Sequence, residues 1–277
     1  MSGGQTNLYS VTTLIKEGLG TNGGLVYWNA RTPVAWAAEN LTAFTELVKV
    51  DAKQAVKTAL DARWATSGKA AARGTDLHKA AEQLALGQTP DVEPHILPYV
   101  EQYVGFLERF QPAFLMSEAP VYNVAQHYAG TCDGIMVIGG KTLIFDIKTT
   151  DKGPDDKTDK GDPVSRPPYP EVALQLCAYA RAEVVGLLSE RREVNYRRYY
   201  VYSPELQHEP MPAVDGALCI VVSPYDCRPI PIRIDDEVWQ HFLYCRENAR
   251  WQIDVSKRVI GPEITALAPT TIEEVAA

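Results

Sequence analysis

Two strand-like segments joined by a Gly-Gly dipeptide place the tightest constraint on the fold of this chain. Residues 128–138 and 141–149 have the composition of β-strands, and Gly139-Gly140 between them is a strong hairpin signal. Asp133 and Asp146, one on each segment, would then lie side by side at one end of a sheet. Two converging carboxylates repel each other unless a cation lies between them, and such oxygen ligands favour Mg²⁺ or Mn²⁺. The hairpin therefore predicts a divalent-metal site.

A lysine completes the chemistry of this hairpin. Lys148 lies two residues after Asp146, so both side chains point to the same face of the strand. An ammonium group beside a metal-bound water can orient it, and its charge can stabilise an attacking hydroxide or a pentavalent phosphate. The combination suits metal-assisted phosphodiester hydrolysis. Each piece alone is far more often only a turn aspartate or the solvated face of an edge strand.

The remaining pattern predicts a mainly helical first part followed by mixed elements. Helix-like segments cover residues 8–19, 31–65, 68–87, 94–110, 171–189 and 235–256. Ser10 or Thr12 would cap the first helix, Pro33 suits a first helical turn, and Gly74 would interrupt or precede its helix. Further strands are expected over residues 116–124, 197–203 and 217–223, with a long, mobile loop over 150–170. This order predicts one α/β domain with a helical N-terminal extension.

Composition excludes several classes of protein. Of 277 residues, 45% are hydrophobic and 22% charged, which excludes collagen-like and intrinsically disordered chains. No run of about 18 apolar residues is present, so no membrane span is expected. The segment MSGGQTNLYS lacks the features of a signal peptide, and five cysteines form no CxxC pair. We therefore expect a cytoplasmic protein with reduced thiols.

The net charge of −8 would argue against a polyanionic partner, but it is an average over a chain whose charge is unevenly distributed. Residues 1–80 contain nine lysines and arginines against six acidic residues, a balance of +3. Residues 81–277 contain eighteen against twenty-nine, a balance of −11. A polyanion would therefore be bound by the N-terminal part, with modest and strongly salt-dependent affinity.

Four short motifs follow one another along the chain. They are a G-T-x-x-H-x-x-x-E helix, a G-x-x-D strand, a D-x-K strand and a Q-x-x-x-Y helix. The residues that form them are Gly74, Thr75, His78, Glu82, Gly130, Asp133, Asp146, Lys148, Gln175 and Tyr179. In type and order they resemble the PD-(D/E)xK nuclease superfamily, in particular its RecB-like and lambda-exonuclease-like branch, over roughly residues 8–205. Each motif alone is weak, and the four in order are fairly specific.

The resemblance implies a fold and a domain organisation. The core would be the restriction-endonuclease-like PD-(D/E)xK core, a mixed central sheet flanked by helices, with a helical N-terminal elaboration. One nuclease domain would cover residues 1–277. Its mainly helical part would be 1–115, its catalytic core 116–205, and its C-terminal strands, helix and tail 206–277.

The resemblance also implies roles for particular residues. Asp133 and Asp146 would hold the metal, helped by the backbone carbonyl of Ile147. Lys148 would position or activate the nucleophilic water. Gln175 would lie beside the metal and help to place Lys148 or the scissile phosphate.

Further ligands and DNA contacts follow with less support from the motifs. His78 would bind a second ion, although a lone histidine on an alanine-rich helix is more often a core or surface residue. Glu118 would be a further acidic ligand, or an exposed strand residue. The expected DNA-binding residues are Lys69, Arg73, Tyr179, Arg197 and Arg198.

The function implied is Mg²⁺- or Mn²⁺-dependent DNA hydrolysis with two ions, as a phage-type exonuclease in recombination or replication. The alternatives are an endonuclease or nickase with the same site, and a non-catalytic DNA-binding or assembly protein. No iron–sulfur cluster is expected, because no cysteine precedes Cys132. DNA is the expected partner, and a single-strand-annealing protein is a second by analogy. A phage-encoded chain would act in the host cytoplasm, and relatives include monomers and toroidal trimers.

Overall fold

Ten strands and seven helices form the part of the chain that the computed structural model describes. That part comprises residues 5–20, 23–158, 160–164, 166–186, 190–194 and 197–263, without the side chains of 23–25, 65–66, 190–194 and 197–198. Helices α1 to α7 span Val11–Leu19, Gly23–Glu39, Leu41–Val50, Ala52–Ala85, Leu97–Phe110, Glu171–Ala180 and Asp236–Ile253. Strands β1 to β10 span Thr6–Ser10, Ala113–Asn123, Tyr128–Ile138, Lys141–Thr149, Val184–Gly186, Glu190–Val194, Arg197–Tyr202, His208–Pro210, Gly216–Val222 and Cys227–Ile232.

The strands form one mixed sheet. Its main order is β10-β9-β4-β3-β1-β7-β6, and β2 joins β3 to the small strands β5 and β8. The β1–β3 and β4–β9 pairs are parallel, and the other pairs are antiparallel. The fold is therefore α/β with a mixed central sheet, as expected.

The sheet opens at the middle of β3. Strand β2 occupies one edge of β3 along nearly its whole length. The other edge is shared, because β1 pairs with Tyr128 and Ala129 whereas β4 pairs with residues 134–138. Residues 130–133 therefore have no ladder partner on that edge among the described strands. We call this opening between β1 and β4 the fork.

Helices cover both faces of the sheet. On one face, Leu14 of α1, Leu176 of α6 and Phe242 of α7 are buried in one hydrophobic cluster. On the other face, Leu77 of α4 and Tyr103 of α5 belong to a second cluster. Elements from both layers thus reach the fork.

The predicted hairpin is confirmed. Strands β3 and β4 have the predicted bounds, and the two glycines between them have φ angles of 58° and 77°. Both central positions of a type I′ turn require positive φ, which glycine adopts without steric cost. Ser10 is confirmed as a cap, since its Oγ accepts a hydrogen bond from the backbone N–H of Thr13 at 3.1 Å.

The helical boundaries of the N-terminal part were predicted wrongly. Residues 31–65 do not form one helix, because Asp51 caps the start of α4 by accepting from the N–H of Gln54. Pro33 lies inside α2 rather than in its first turn. Gly74 does not interrupt its helix either, since α4 runs through it without a break. An interior glycine costs only about 1 kcal/mol, and the alanine-rich surroundings outweigh that.

The helix predicted over residues 171–189 is too long. Helix α6 ends at Ala180, and Val184–Gly186 is strand β5. The β-branched Val184 and Val185 pair with Tyr122 and Val121 of β2, so sheet pairing overrides the helical pattern. No described residues of the 150–170 loop form a helix or a ladder strand, although an isolated bridge joins Lys157 to Pro163. None of the described helices combines the length and the apolar character needed to cross a bilayer.

Candidate metal centre

A polar cleft of about 600 Å³ lies at the fork. Elements from both helical layers line it, namely α1, α4 and α6, together with β1, β2, β3, β4 and β7. Its lining residues are Ser10, Thr12, Gly74, Thr75, His78, Lys79, Glu82, Glu118, Thr131, Asp133, Asp146, Lys148, Gln175, Tyr179 and Tyr200. Nine of the ten motif residues are among them. The tenth, Gly130, lies directly against the ring of Tyr179.

Asp133 occupies the fork itself. It is the last β3 residue before the pairing with β4 begins. Its Oδ2 accepts a 2.6 Å hydrogen bond from the backbone N–H of Ile147. A side-chain oxygen thus replaces the ladder bond that β4 lacks at this position, and it fixes the carboxylate against the next strand.

His78 joins the two strands from the α4 side. Its Nε2 lies 3.0 Å from the carbonyl oxygen of Ile147. Its Nδ1 lies 3.2 Å from Oε1 of Glu118 and 3.5 Å from Oδ2 of Asp133. Both ring nitrogens therefore face oxygen acceptors, which suits a doubly protonated imidazolium.

Asp146 and Lys148 form an ion pair on the α6 side. The Nζ of Lys148 lies 2.7 Å from Oδ1 and 2.6 Å from Oδ2 of Asp146. Gln175 donates from Nε2 to Oδ1 at 3.0 Å. Oδ2 is buried, and its contact with Lys148 has the distance of an ion pair without hydrogen-bond geometry. This oxygen remains an acceptor without a hydrogen bond among the described residues.

Burial and mutual charge shift the ionisation of these groups. Burial, followed by the nearby charge of Asp146, raises the pKa of Asp133 to about 7. Burial alone would lower the pKa of His78, but the hydrogen bond that His78 donates to Glu118 and the charges of the neighbouring carboxylates raise it to about 9. Burial likewise opposes the charge of Lys148, yet Asp146 and Asp133 raise the pKa of its ammonium group. In the protein alone, the cations His78 and Lys148 face the three carboxylates of Asp133, Asp146 and Glu118.

Glu118 reaches the cluster from an unusual backbone position. It has a φ of 47° within β2, opposite Asp133. A left-handed conformation costs a non-glycine residue about 1 kcal/mol or more and often marks a functional position. Sequence spacing alone left the role of Glu118 open, because no local sequence pattern predicts a left-handed conformation at this residue.

The donor set fits a divalent cation. One ligand atom each from His78, Glu118 and Asp133 lie within 4.8 Å of one another. Ligands on opposite sides of Mg²⁺ or Mn²⁺ are about 4.2 Å apart, so small side-chain movements would close this set around one ion. The buried Oδ2 of Asp146 and the carbonyl of Ile147 are further oxygen ligands of the kind that these ions prefer.

Tyr179 and Gly130 join two of the motifs by direct contact. A Cβ atom placed on Gly130 would lie 2.4 Å from Cε1 of Tyr179, closer than packed atoms allow. The glycine of the G-x-x-D strand thus makes room for the tyrosine of the Q-x-x-x-Y helix. Tyr179 is only 3% exposed, so its ring forms a wall of the cleft.

Two of the expected DNA-binding residues lie outside the cleft. The guanidinium of Arg73 lies over the ring of Tyr99, at 5.6 Å from its centroid. Lys69 precedes His78 by nine residues, about two and a half helical turns, so it points away from the cleft side of α4. The side chains of Arg197 and Arg198 lie outside the described residues.

Several cleft residues were missed from the sequence. Ser10 and Thr12 enter the cleft because β1 pairs with the start of β3 and directs the N-terminus of α1 toward the fork. Thr131 and Tyr200 meet across the β3 and β7 region, with their hydroxyl oxygens 3.1 Å apart. Lys79 could have been found from the sequence, because it directly follows the motif residue His78. The other positions depend on long-range strand pairing, which no local pattern reveals.

Comparisons with known proteins do not identify a family for this chain. No protein-family model matches the sequence, and no curated protein is significantly similar to it. One solved structure, that of SSO0001, aligns over 88% of this chain and 76% of its own at 15% identity. Its TM-score of 0.35 is too low to support an argument about fold or function.

Proposed function

We propose that this protein is a Mg²⁺- or Mn²⁺-dependent deoxyribonuclease with a PD-(D/E)xK core. The exonuclease type, in DNA recombination or replication, is proposed from the motif resemblance. The observation that carries the proposal is the convergence of acidic, basic and imidazole groups at the fork. Asp133, Asp146 and Lys148 come from two strands and His78 from a helix, and all four line one cleft. Such a set could hold a divalent ion and place a positive charge beside it, which suits metal-assisted phosphodiester hydrolysis.

The metal would be held by oxygen and nitrogen ligands around the fork. Asp133, Glu118 and His78 form the compact part of this ligand set, with Asp146 and the carbonyl of Ile147 beside it. A bound divalent ion would supply Lewis-acid stabilisation of the phosphate and a lower pKa for a water ligand. His78 would have to release a proton to act as a ligand, because a ligand nitrogen must be unprotonated.

Lys148 would act as a cation and hydrogen-bond donor. Asp146 and Asp133 raise the pKa of its ammonium group, so the group is charged at neutral pH in the protein alone. Asp146 holds the ammonium group within the cleft, and Gln175 holds Asp146. The charge of Lys148 would orient a water molecule and stabilise the negative charge that develops on the phosphate.

Hydroxyl groups in the cleft would offer hydrogen bonds to phosphate oxygens. Thr12 at the start of α1 and Thr131 of β3 line the same cleft as Lys148. The N-terminus of α1 favours negative charge in its vicinity. A phosphodiester group in the cleft would therefore be bordered both by the metal ligands and by these hydroxyl groups.

The proposal is tested by digestion of end-labelled linear duplex DNA, with and without a 5′-phosphate, in Mg²⁺ or Mn²⁺. We expect progressive shortening from an end, which also reports polarity and end preference. Asp133→Asn and Asp146→Asn should lose at least about a hundredfold in rate, because each removes a charge from the ligand set. Asp91→Asn is the matched control, since Asp91 is an exposed loop residue outside the cleft.

The same assay separates the alternatives. An exonuclease leaves covalently closed circular DNA intact, whereas an endonuclease or nickase cuts it. No cleavage of any substrate with either ion would mean that the protein is a non-catalytic binder, and the proposal would be wrong. Full activity in both aspartate variants would also contradict it.

A further inference from the structure

Helix α4 extends far beyond the cleft. It runs for 34 residues, or roughly 50 Å, and only its C-terminal half packs on the sheet. The N-terminal half packs against α2 and α3, where Ala55 and Ala59 are buried. Because no break occurs at Gly74, the two halves share one helical axis. A face that begins at His78 therefore continues along the outer half.

One exposed face of this outer half is in line with His78. Trp64 precedes His78 by about four helical turns, Leu60 by about five and Lys53 by about seven. Val56 and Lys57 precede it by about six turns and lie between them. We call these residues the α4 track: Lys53, Val56, Lys57, Leu60 and Trp64.

The α4 track combines exposed apolar groups with positive charge. Trp64 is 63% exposed, Val56 54% and Leu60 40%, and both lysines are exposed. The guanidinium of Arg63 lies 5.0 Å from the centre of the Trp64 ring and adds charge beside it. Exposed tryptophan flanked by lysine and arginine is the chemistry that stacks on bases and pairs with phosphates.

We infer that the α4 track binds single-stranded DNA and leads it to the cleft. This inference rests on the proposed nuclease function for the identity of the polymer. Single strands are favoured over duplex because their bases are free to stack on Trp64, whereas bases inside a duplex are not. The lysines complement the phosphate charge, and the track lies on the same face of α4 as His78, which lines the cleft.

The test is fluorescence anisotropy of a labelled oligothymidylate of about 20 nucleotides, with the full-length protein in EDTA. Trp64→Ala should weaken binding about tenfold, and Trp64→Phe should retain most of the affinity because a ring remains. Lys57→Ala should weaken binding and reduce the slope of log affinity against log salt by about 0.7, the value for one phosphate contact on a single strand. Circular dichroism checks that α4 remains folded.

The control is Lys141→Ala. Lys141 is an exposed lysine at the start of β4, beside the Gly139-Gly140 turn and away from α4, so its loss should leave affinity and salt slope unchanged. A blunt hairpin duplex provides the second control, and Trp64→Ala should not change its binding.

The outcomes separate this inference from the proposed function. Binding without metal does not require hydrolysis, so loss of affinity in Trp64→Ala and Lys57→Ala supports the track even if no cleavage is seen. Unchanged affinity in both variants overturns the track, including the case in which the wild type cleaves DNA. Absence of any single-strand binding by the wild type overturns it too, and leaves a protein segment as the alternative occupant of this face.

Discussion

Lys148 is the cleft residue whose role follows most directly from its contacts. It pairs with both oxygens of Asp146, and only about a third of its side chain is exposed. We predict that Lys148→Ala lowers the rate of DNA cleavage by at least about a hundredfold, because a charge positioned at the phosphate is lost. Initial rates on labelled DNA measure this. Lys152→Ala is the control, since Lys152 is nearly half exposed and pairs with Asp151. Equal losses in both variants would show that the cleft lysine has no special role.

Gly130 is predicted to be a packing requirement rather than a ligand. Gly130→Ala would force its new methyl group into the ring of Tyr179, and overpacking of this kind costs about 1–3 kcal/mol. Urea unfolding should show this loss in the wild-type background and a smaller loss in Tyr179→Ala. Gly105→Ala in α5 is the control, because no atom lies near its added methyl group. A loss that is the same in both backgrounds would mean that the strain arises elsewhere.

Residue identities predicted most of the cleft. The motif order brought together His78, Asp133, Asp146, Lys148 and Gln175, because each side chain is fixed by its position on one predicted element. The place of Glu118 was left open, since it depends on the register of β2 and on a left-handed residue within a strand. Neither the register nor the left-handed conformation can be predicted from the residue types around Glu118.

At the scale of elements, the bounds of a helix or strand were predicted correctly where its local sequence signals agreed with its tertiary packing. The β3–β4 hairpin was predicted to the residue, because its glycine turn and strand composition agree. The unbroken α4 was not, since two glycines weaken its local signal while packing on the sheet maintains it. Lys69 and Arg73 stay predicted DNA-binding residues, and the continuous helix places both of them outside the cleft.

The loop after β4 is anchored more firmly than its composition suggests. Arg166 donates to both carboxylate oxygens of Asp226, at 3.0 Å for Oδ2, and to Ser223 Oγ at 3.3 Å. Arg228 donates to the carbonyl of Pro167 at 2.9 Å. A polar sequence rich in proline predicts a loop, but it does not reveal which distant strand turn holds that loop.

This anchor predicts a pH-dependent contribution to stability. Burial opposes the charge of Asp226, but its hydrogen bonds from Arg166 and Ser223 hold its pKa below the ordinary value. Since the folded protein binds the proton less readily than the unfolded chain, the stabilisation is complete above the ordinary pKa and is lost as pH falls through the folded pKa. We expect Asp226→Asn to lower the free energy of unfolding by about 1–3 kcal/mol at pH 7.

Urea unfolding at pH 7 and pH 3 measures this effect. The difference between wild type and Asp226→Asn should shrink at pH 3. Asp254→Asn is the control, because Asp254 forms a half-exposed pair with Arg258 that contributes little at either pH. A difference that is the same at both pH values would exclude the ionised carboxylate as its source.

At the scale of the whole molecule, the sheet order is the property that sequence did not predict. Strands β1 and β4 are far apart in sequence, yet they share one edge of β3 and leave the fork between them. Pairing over such separations leaves no local pattern. The charge distribution was more informative, because the positive balance of residues 1–80 belongs to the part of the chain that carries His78 and the α4 track.

The central claim is that a divalent ion bound at the fork is needed for DNA cleavage. Its most direct test measures the cleavage rate of end-labelled linear DNA against Mn²⁺ concentration, with free Mn²⁺ followed by electron paramagnetic resonance in the same samples. We predict that the wild type and Asp91→Asn bind Mn²⁺ saturably and cleave DNA. Asp133→Asn and Glu118→Gln should bind Mn²⁺ more weakly and cleave little DNA. Cleavage by the wild type in EDTA, or full binding and cleavage by both ligand variants, would contradict the account.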